Sequence, residues 1–392
     1  MDYKKIKEIA MINPENINKT YNKNYIMYLD TSNITNGTID EIVKIDIKDI
    51  PSRAKRIVRE NDIIYSTVRP NLCHYGILRN IIDNLIVSTG FAVIRCDENK
   101  VVPEYLYAYL TLPNITEKLY AIAETSTSAY PSIKPSDIED MIIPIPSIEI
   151  QKKVSKTLSN IDKKIELNNQ INDNLQKLIL YMFNKFLKDN QDYKQTTIKD
   201  AVKKIGTGAD AIQRAPIVEY DTGIRCIRVG DMTNSRTKYQ WGFTEMTEKD
   251  FENYKLNVGD IVVTRTAVNG LSYLIEDDMK VVCNNGLIKM SVNSKYNPLY
   301  IYLYLQTKDF YDYVHRIDGE TSVRPNMKVE FFTSYKIKEI PIDKQNEMCN
   351  QLSPLRKMQQ SIIIENERLA NLRDTLLPKL MNGEIDIDKI EI

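Results

Sequence analysis

The sequence predicts a mixed α/β (α+β) protein made of two similar halves, each a globule followed by one long helix. An internal repeat carries the first part of that expectation: short blocks from the first half recur in the same order in the second. The composition of those blocks carries the second, since they are brief runs of Ile, Val and Tyr punctuated by Gly, Asn and Pro. The third observation places the helices. "INDNLQKL" at 171–178 and "ENERLANL" at 365–372 share Asn and two Leu in the same places, 194 positions apart in a chain of 392.

Taken in order, "YKKIKEIA" at 3–10 answers "YKQTTIKDAV" at 193–202, and "NDIIYST" at 61–67 answers "GDIVVTRT" at 259–266. Each member of the second pair is an apolar β-branched run behind an Asp, and therefore a strand. "STGFAVI" at 88–94 answers "NNGLIKM" at 284–290, with Gly90 and Gly286 as turn residues before a strand. "YLYAYL" at 105–110 answers "YIYLYL" at 300–305, and the surrounding "PEYLYAYLTLPNITEKLYAIAE" supplies at least one helix. "SIKPSDI" at 132–138 is set against "SVRPNMK" at 322–328, which pairs Lys134 with Arg324. "PIPSIEIQ", ending at Gln151, answers "EIPIDKQ", ending at Gln345, and a long helical pattern follows each.

Ser147 and Asp343 are placed to cap those helices. The expected divisions are a globule over 1–146, a long helix over 147–190, a second globule over 191–341 and a second long helix over 342–392. The first helix is expected to run from about 148 to 187, roughly 60 Å at ~1.5 Å per residue. A 3–4 spacing runs through Ile161, Lys164, Asn168, Ile171, Leu175, Leu178 and Met182. A second runs through Leu355, Met358, Ile362, Glu365, Leu369, Leu372 and Leu376. These read as two coiled-coil seams, and antiparallel pairing about an approximate two-fold axis would shield both.

Composition narrows the class further. At 42% apolar and 27% charged the chain reads as a soluble globular protein of two to four domains. It has neither an apolar run of ~18 residues nor the apolar core of a signal peptide. The five cysteines are far apart, which argues against a disulfide framework or structural zinc and fits a reducing cytoplasm. Lys+Arg and Asp+Glu number 53 each, so the chain as a whole is no electrostatic glue for nucleic acid, and any binding must come from local patches.

A globule ending in P-x-P…Q before a long helix, repeated once, resembles the specificity (S) subunit of type I restriction-modification systems. "LLPKLMNGEI" at 376–385 is similar to the end of that family's second helix, and "NVGDIVVTRT" at 257–266 to a strand of its target recognition domains. The resemblance covers essentially the whole chain by architecture and short motifs, and the globules only loosely. It implies a non-catalytic reader of double-stranded DNA, with each globule a target recognition domain for half of a bipartite, asymmetric site. It also implies that the helix pair is spacer and docking platform for two methyltransferase subunits, joined by restriction subunits. S-adenosylmethionine would then belong to the methyltransferase and ATP to the restriction subunit, with no cofactor in this chain.

Candidate DNA contacts follow from chemistry, since Lys and Arg suit phosphates while Arg suits guanine and Asn or Gln adenine. In the first half these are Arg53, Lys55 and Arg56 in "PSRAKRIVRE", Arg69 in "STVRPN", and Tyr130 with Lys134 in "TSTSAYPSIKPS". In the second they are Arg228 in "GIRCIRVGD", Arg236 and Lys238 in "TNSRTKYQWG", Arg265 after its strand, and Ser322, Arg324 and Lys328 in "ETSVRPNMK". Any single one of them reads equally as a solvated surface cation. Arg225 and Arg228 are expected on opposite faces of one strand, so at most one of the two would reach DNA. Arg69, Lys134, Arg265 and Arg324 stand out because they fall in loops matched by the repeat.

Catalytic signatures are missing from the sequence. It has no Asn/Asp-Pro-Pro-aromatic loop for a target amine, no Gly-rich methyl-donor loop and no G-x-x-x-x-G-K-[ST] phosphate loop. His74 and His315 lie in different halves without ligand spacing, and acidic-Lys runs such as "IDIKDI" at 45–50 are expected by chance in so Lys- and Asp-rich a chain. Two other classes stand beside the DNA reader: a two-domain DNA-modifying enzyme acting alone, and a helical assembly scaffold.

Overall fold

A computed structural model describes residues 2–18, 21–126, 130–208, 216–318, 326–381 and 384–385. The chain forms two compact units. One takes the chain up to Leu167 and resumes at Asn366, and the other runs from Asn168 to Glu365. Each unit thus holds a globule and a stretch of both long helices, so the units are not consecutive segments of sequence.

In the first unit, an antiparallel sheet has the spatial order Ala10–Ile12, Phe91–Cys96, Ile63–Ser66, Tyr75–Ile77. A second sheet runs Val43–Asp46, Tyr25–Leu29, Leu85–Ser88, Ala54–Ile57, with one parallel pair between Leu85–Ser88 and Tyr25–Leu29. Ile63–Ser66 is buried along its whole length because both faces are covered. Ile63, Tyr65, Ala92 and Ile94 pack with Tyr105, Leu106 and Leu119. The alternate residues Ile64, Phe91 and Val93 face Leu29, Leu85 and Val87 between the two sheets. Helices Pro103–Leu110 and Pro113–Glu124 both begin on proline, whose missing N–H costs nothing at a first turn.

The second unit repeats the plan. Its antiparallel sheet runs Val202–Thr207, Leu287–Val292, Ile261–Thr264, Ser272–Leu274. Its other sheet runs Ile217–Val218, Phe243–Thr244, Arg225–Ile227, Val281–Cys283, again with a single parallel pair, the last. Ile261, Val263 and Ile288 join Tyr300 and Phe310 in one core, while Val262 and Leu287 join Trp241 in the other.

The start of each long helix is fixed the same way. Gln151 is fully buried: its Nε2 donates to Pro146 O at 2.9 Å and Lys100 O at 3.3 Å, and its Oε1 accepts Val102 N at 2.8 Å. Gln345, also fully buried, donates to Ile340 O at 2.6 Å and Lys295 O at 3.3 Å and accepts Asn297 N at 2.9 Å. A glutamine is needed because one side chain must supply both an acceptor and two donors. Tyr105 and Tyr300 add a second matched bond, to Pro144 O and Lys338 O.

The long helices span Ile148–Asp189 and Ile342–Met381. One run of buried and half-buried positions on the first passes through Gln151, Val154, Leu158, Ile161, Ile165, Asn168, Asn172, Leu175, Ile179 and Met182, alternating by 3 and 4. The second shows Gln345, Met348, Leu352, Leu355, Gln359, Ile362, Asn366, Leu369, Arg373 and Leu376, each 194 residues on (345 − 151 = 194). The seam read from sequence therefore needs correcting at alternate positions. Ile171, Leu178, Met358 and Leu372 are 39%, 44%, 50% and 43% exposed, Lys164 is exposed, and the seam passes one residue later. Ile171 and Leu178 are apolar but lie on the outer flank, whereas the seam itself admits Asn172, Gln359, Asn366 and Arg373. Ile362 is buried, and Leu175, Met182, Leu369 and Leu376 are half-buried on the seam.

Within the second unit the two helix stretches run antiparallel. Asn168 Nδ2 donates to Glu365 Oε2 at 2.8 Å, and further along Gln359 Nε2 meets Asn172 O and Gln176 Oε1 at 3.3 Å each. Within the first unit Arg373 Nη1 donates to Asp162 Oδ1 at 2.9 Å, and Leu377 and Leu380 share a core with Val154 and Leu158.

Candidate nucleic-acid interface

Four segments of the first unit meet at the ends of its two sheets, tied by backbone hydrogen bonds. Thr89 N donates to Arg53 O and Thr67 N to Gly90 O, both at 2.8 Å; Ile133 N donates to Thr67 O and Arg69 N to Pro131 O, both at 2.9 Å. Gly90 is required at this junction, because a Cβ there would stand 2.9 Å from Thr31 Cγ2. The junction gathers Arg53, Arg69, Tyr130 and Lys134, which span 81 residues of sequence (134 − 53 = 81).

The second unit repeats part of this junction: Arg265 N donates to Gly286 O at 2.9 Å and Met327 N to Arg265 O at 2.8 Å. Asn284 N donates to Ile227 O at 3.1 Å, but the strand Arg225–Ile227 runs parallel to Val281–Cys283, whereas Ala54–Ile57, after Arg53, runs antiparallel to Leu85–Ser88, so the Arg53 segment is not matched. Gly286 holds the turn, where a Cβ would stand 2.5 Å from Val229 Cγ2. These bonds fix the correspondence between units. Arg265 takes the place of Thr67, Ala267 that of Arg69, and Met327 that of Ile133. Lys134 and Lys328 each stand at the N-cap of a short helix, Pro135–Glu139 and Val329–Thr333. The match drawn from sequence between Lys134 and Arg324 is thereby corrected: Lys134 pairs with Lys328. Arg324 and Ser322 lie outside the described residues.

The candidate cations fall into two groups. Several are committed within the fold. Arg56, half-buried on the strand Ala54–Ile57, donates to Asn16 Oδ1 at 2.9 Å, and burial lowers its pKa from the ordinary arginine value. Arg236 pairs with the buried Asp231 at 3.2 Å, and Lys238 pairs with Asp277. Arg228 begins the helix Val229–Thr233 rather than continuing the strand Arg225–Ile227, and its backbone N–H donates to Asp231 Oδ2 at 2.9 Å. The expectation of opposite strand faces for Arg225 and Arg228 therefore does not hold. Arg225 lies over the Phe243 ring and donates to Tyr239 O and Trp241 O, so it braces the loop around Trp241. Arg265 donates to Asn326 Oδ1 at 3.1 Å through Nη2.

Arg53, Lys55, Arg69, Lys134 and Lys328 form the other group. All five are exposed, and among the described residues none has a carboxylate within ion-pair distance. Arg69 lies over the Tyr130 ring at 4.8 Å from its centroid, and Tyr130 is 58% exposed. An exposed cation without an internal carboxylate is free to exchange water for a phosphate or a base edge. Ala267, which stands at the place of Arg69, carries no signal of its own in the sequence.

The family model described as the type I restriction modification DNA specificity domain matches residues 1–177 and again residues 190–373. The chain belongs to that family. Among its relatives, the HindI specificity subunit of Haemophilus influenzae is 32% identical over 164 residues, a match covering 42% of this chain and 36% of that subunit. The MjaIX specificity subunit of Methanocaldococcus jannaschii is 24% identical and covers far more, 99% of this chain and 94% of its own length. The solved S subunit of a type I restriction-modification system from M. genitalium shares the fold with a TM-score of 0.53, at 14% identity over 97% of this chain and 96% of that one. The two matches to one specificity-domain model coincide with the two junctions, one for each copy. Among the described residues no helix is long and apolar enough to cross a membrane.

Proposed function

We infer that this chain is the DNA-reading subunit of a type I restriction-modification complex. It reads a bipartite, asymmetric site in double-stranded DNA, one half-site per globule, and brings two methyltransferase subunits and the restriction subunits to that site. It performs no chemistry itself. S-adenosylmethionine is bound by the methyltransferase and ATP by the restriction subunit. The complex works in the cytoplasm, where the chromosome is.

The observation that carries this reading is the repeated junction, in a chain of the specificity family, with cations that lack internal carboxylates. Similar but non-identical junctions suit two different half-sites. Phosphate contacts set position and base contacts set sequence, so exposed Lys134 and Lys328 suit the former role. A second surface suits the methyltransferase. In the second unit Ile171, Leu178 and Tyr181, spaced 7 and 3 apart on one flank of their helix, are 39%, 44% and 67% exposed. An exposed apolar flank of this kind suits a protein contact.

The experiment is methyl transfer from labelled donor to DNA, measured for this chain alone, for the methyltransferase alone and for the assembled complex. Sequence-specific transfer by the complex only is expected. Transfer by the isolated chain at a comparable turnover would favour the stand-alone enzyme instead.

A further inference from the structure

We propose that residue 69 and its counterpart 267 are the matched base-reading positions of the two junctions, with Arg69 reading a guanine and Ala267 offering no hydrogen-bonded readout. This rests on the DNA-reading function above and deepens it.

Backbone conformation is the first support. Arg69 has φ 48° and Ala267 φ 64°, in the left-handed region that any residue with a Cβ enters at a cost. Both units keep that conformation although one residue is long and charged and the other a methyl. The conformation therefore belongs to the loop, and the side chain is what the loop displays. In both units the loop follows the central buried strand by the same count, Ser66 to Arg69 and Thr264 to Ala267.

The second support is how Arg69 is held. Its backbone N–H is tied to Pro131 O at 2.9 Å, and its guanidinium lies over the Tyr130 ring. Stacking uses the face of the guanidinium, and among the described residues its N–H edge meets no acceptor. That edge is the fork that matches O6 and N7 of guanine in the major groove. The arginines nearest in role are spent elsewhere, Arg56 on Asn16 and Arg265 on Asn326. Arg53 is also exposed, but among the described residues no ring lies against its guanidinium. Ala267 has only a methyl group, which can touch a thymine methyl but cannot discriminate by hydrogen bonding.

The test uses the assembled complex with its methyltransferase, bound at fixed salt to DNA libraries randomised in one half-site at a time. Arg69→Ala should lose a guanine preference of roughly tenfold or more at one position of one half-site, leaving the other half-site untouched. Arg69→Lys keeps the charge but not the fork, and should lose the same preference while retaining the salt dependence. Ala267→Arg should gain a guanine preference at a single position of the other half-site. Arg69→Ala weakening all sequences equally, with a salt slope lower by about one, would make Arg69 a phosphate clamp and overturn the proposal. Ala267→Arg that binds as tightly as the parent with no new preference would overturn the equivalence of the two positions. A parent complex with no sequence preference in either half-site would instead sink the DNA-reading function itself.

Discussion

Replacing Gln345 by leucine keeps the volume of a fully buried side chain and removes its three hydrogen bonds. Asn297 N–H, Lys295 C=O and Ile340 C=O lose their side-chain partner, and no water reaches a site with zero exposure without rearrangement. Each orphaned buried group costs roughly 1–3 kcal/mol, with carbonyls at the low end. Allowing for the easier burial of leucine, the net loss is about 3 kcal/mol. That is a large part of a domain's total stability, on the order of 5–15 kcal/mol. With a urea slope of about 2 kcal/mol per molar, the midpoint should fall by about 1.5 M. Trp241 gives the readout: it is the sole tryptophan, it is 2% exposed, and it lies in the same unit as Gln345. Gln345→Glu should be worse at pH 7 than at pH 5, because a carboxylate would face two carbonyl oxygens where an amide now donates. A shift in the Trp241 transition below about 0.3 M for Gln345→Leu would show that the helix start does not depend on this residue.

Ile179→Asp and Leu178→Asp separate the seam from the outer flank. Ile179 is fully buried, so an aspartate there should cost several kcal/mol. Leu178→Asp should stay within about 0.5 kcal/mol of the parent in thermal melting while weakening co-purification with the methyltransferase. Equal melting temperatures for the two variants would contradict the seam as described. Alkaline titration tests burial of the thiols. Desolvation pushes Cys96, Cys226, Cys283 and Cys349 up to about 12. A raised folded value means their contribution is fully present below the unfolded thiol value, ~8.5, and is lost as pH rises toward 12. The urea midpoint should accordingly fall between pH 8 and pH 11, and a midpoint that holds constant would argue against that burial.

The repeat, the strands around Ile63 and Ile261, the glycine turns and both long helices were legible in the sequence, because each is a local statement. β-branched runs and proline at a first turn are decided by the residue and its neighbours, whereas the contacts that leave no room for a Cβ at Gly90 and Gly286 come from distant Thr31 and Val229. Gln151 and Gln345 were visible as matched letters, but their three hydrogen bonds to distant backbone were not. The phase of the helix seam was misread at alternate positions, since apolar residues occur on the outer flank as well and the seam itself takes in Asn172 and Arg373. Only packing distinguishes the two flanks. The pairing of Lys134 with Arg324 failed for a similar reason. Loops of unequal composition can be aligned by their letters in more than one way, whereas a backbone hydrogen bond from Ile133 to Thr67, repeated from Met327 to Arg265, admits a single correspondence. The sequence by itself determined what kinds of element form and that they form twice. The tertiary structure decided which cations are left exposed without a carboxylate partner, because ion pairs such as Arg236–Asp231 and Lys238–Asp277 exist only once distant segments are brought together.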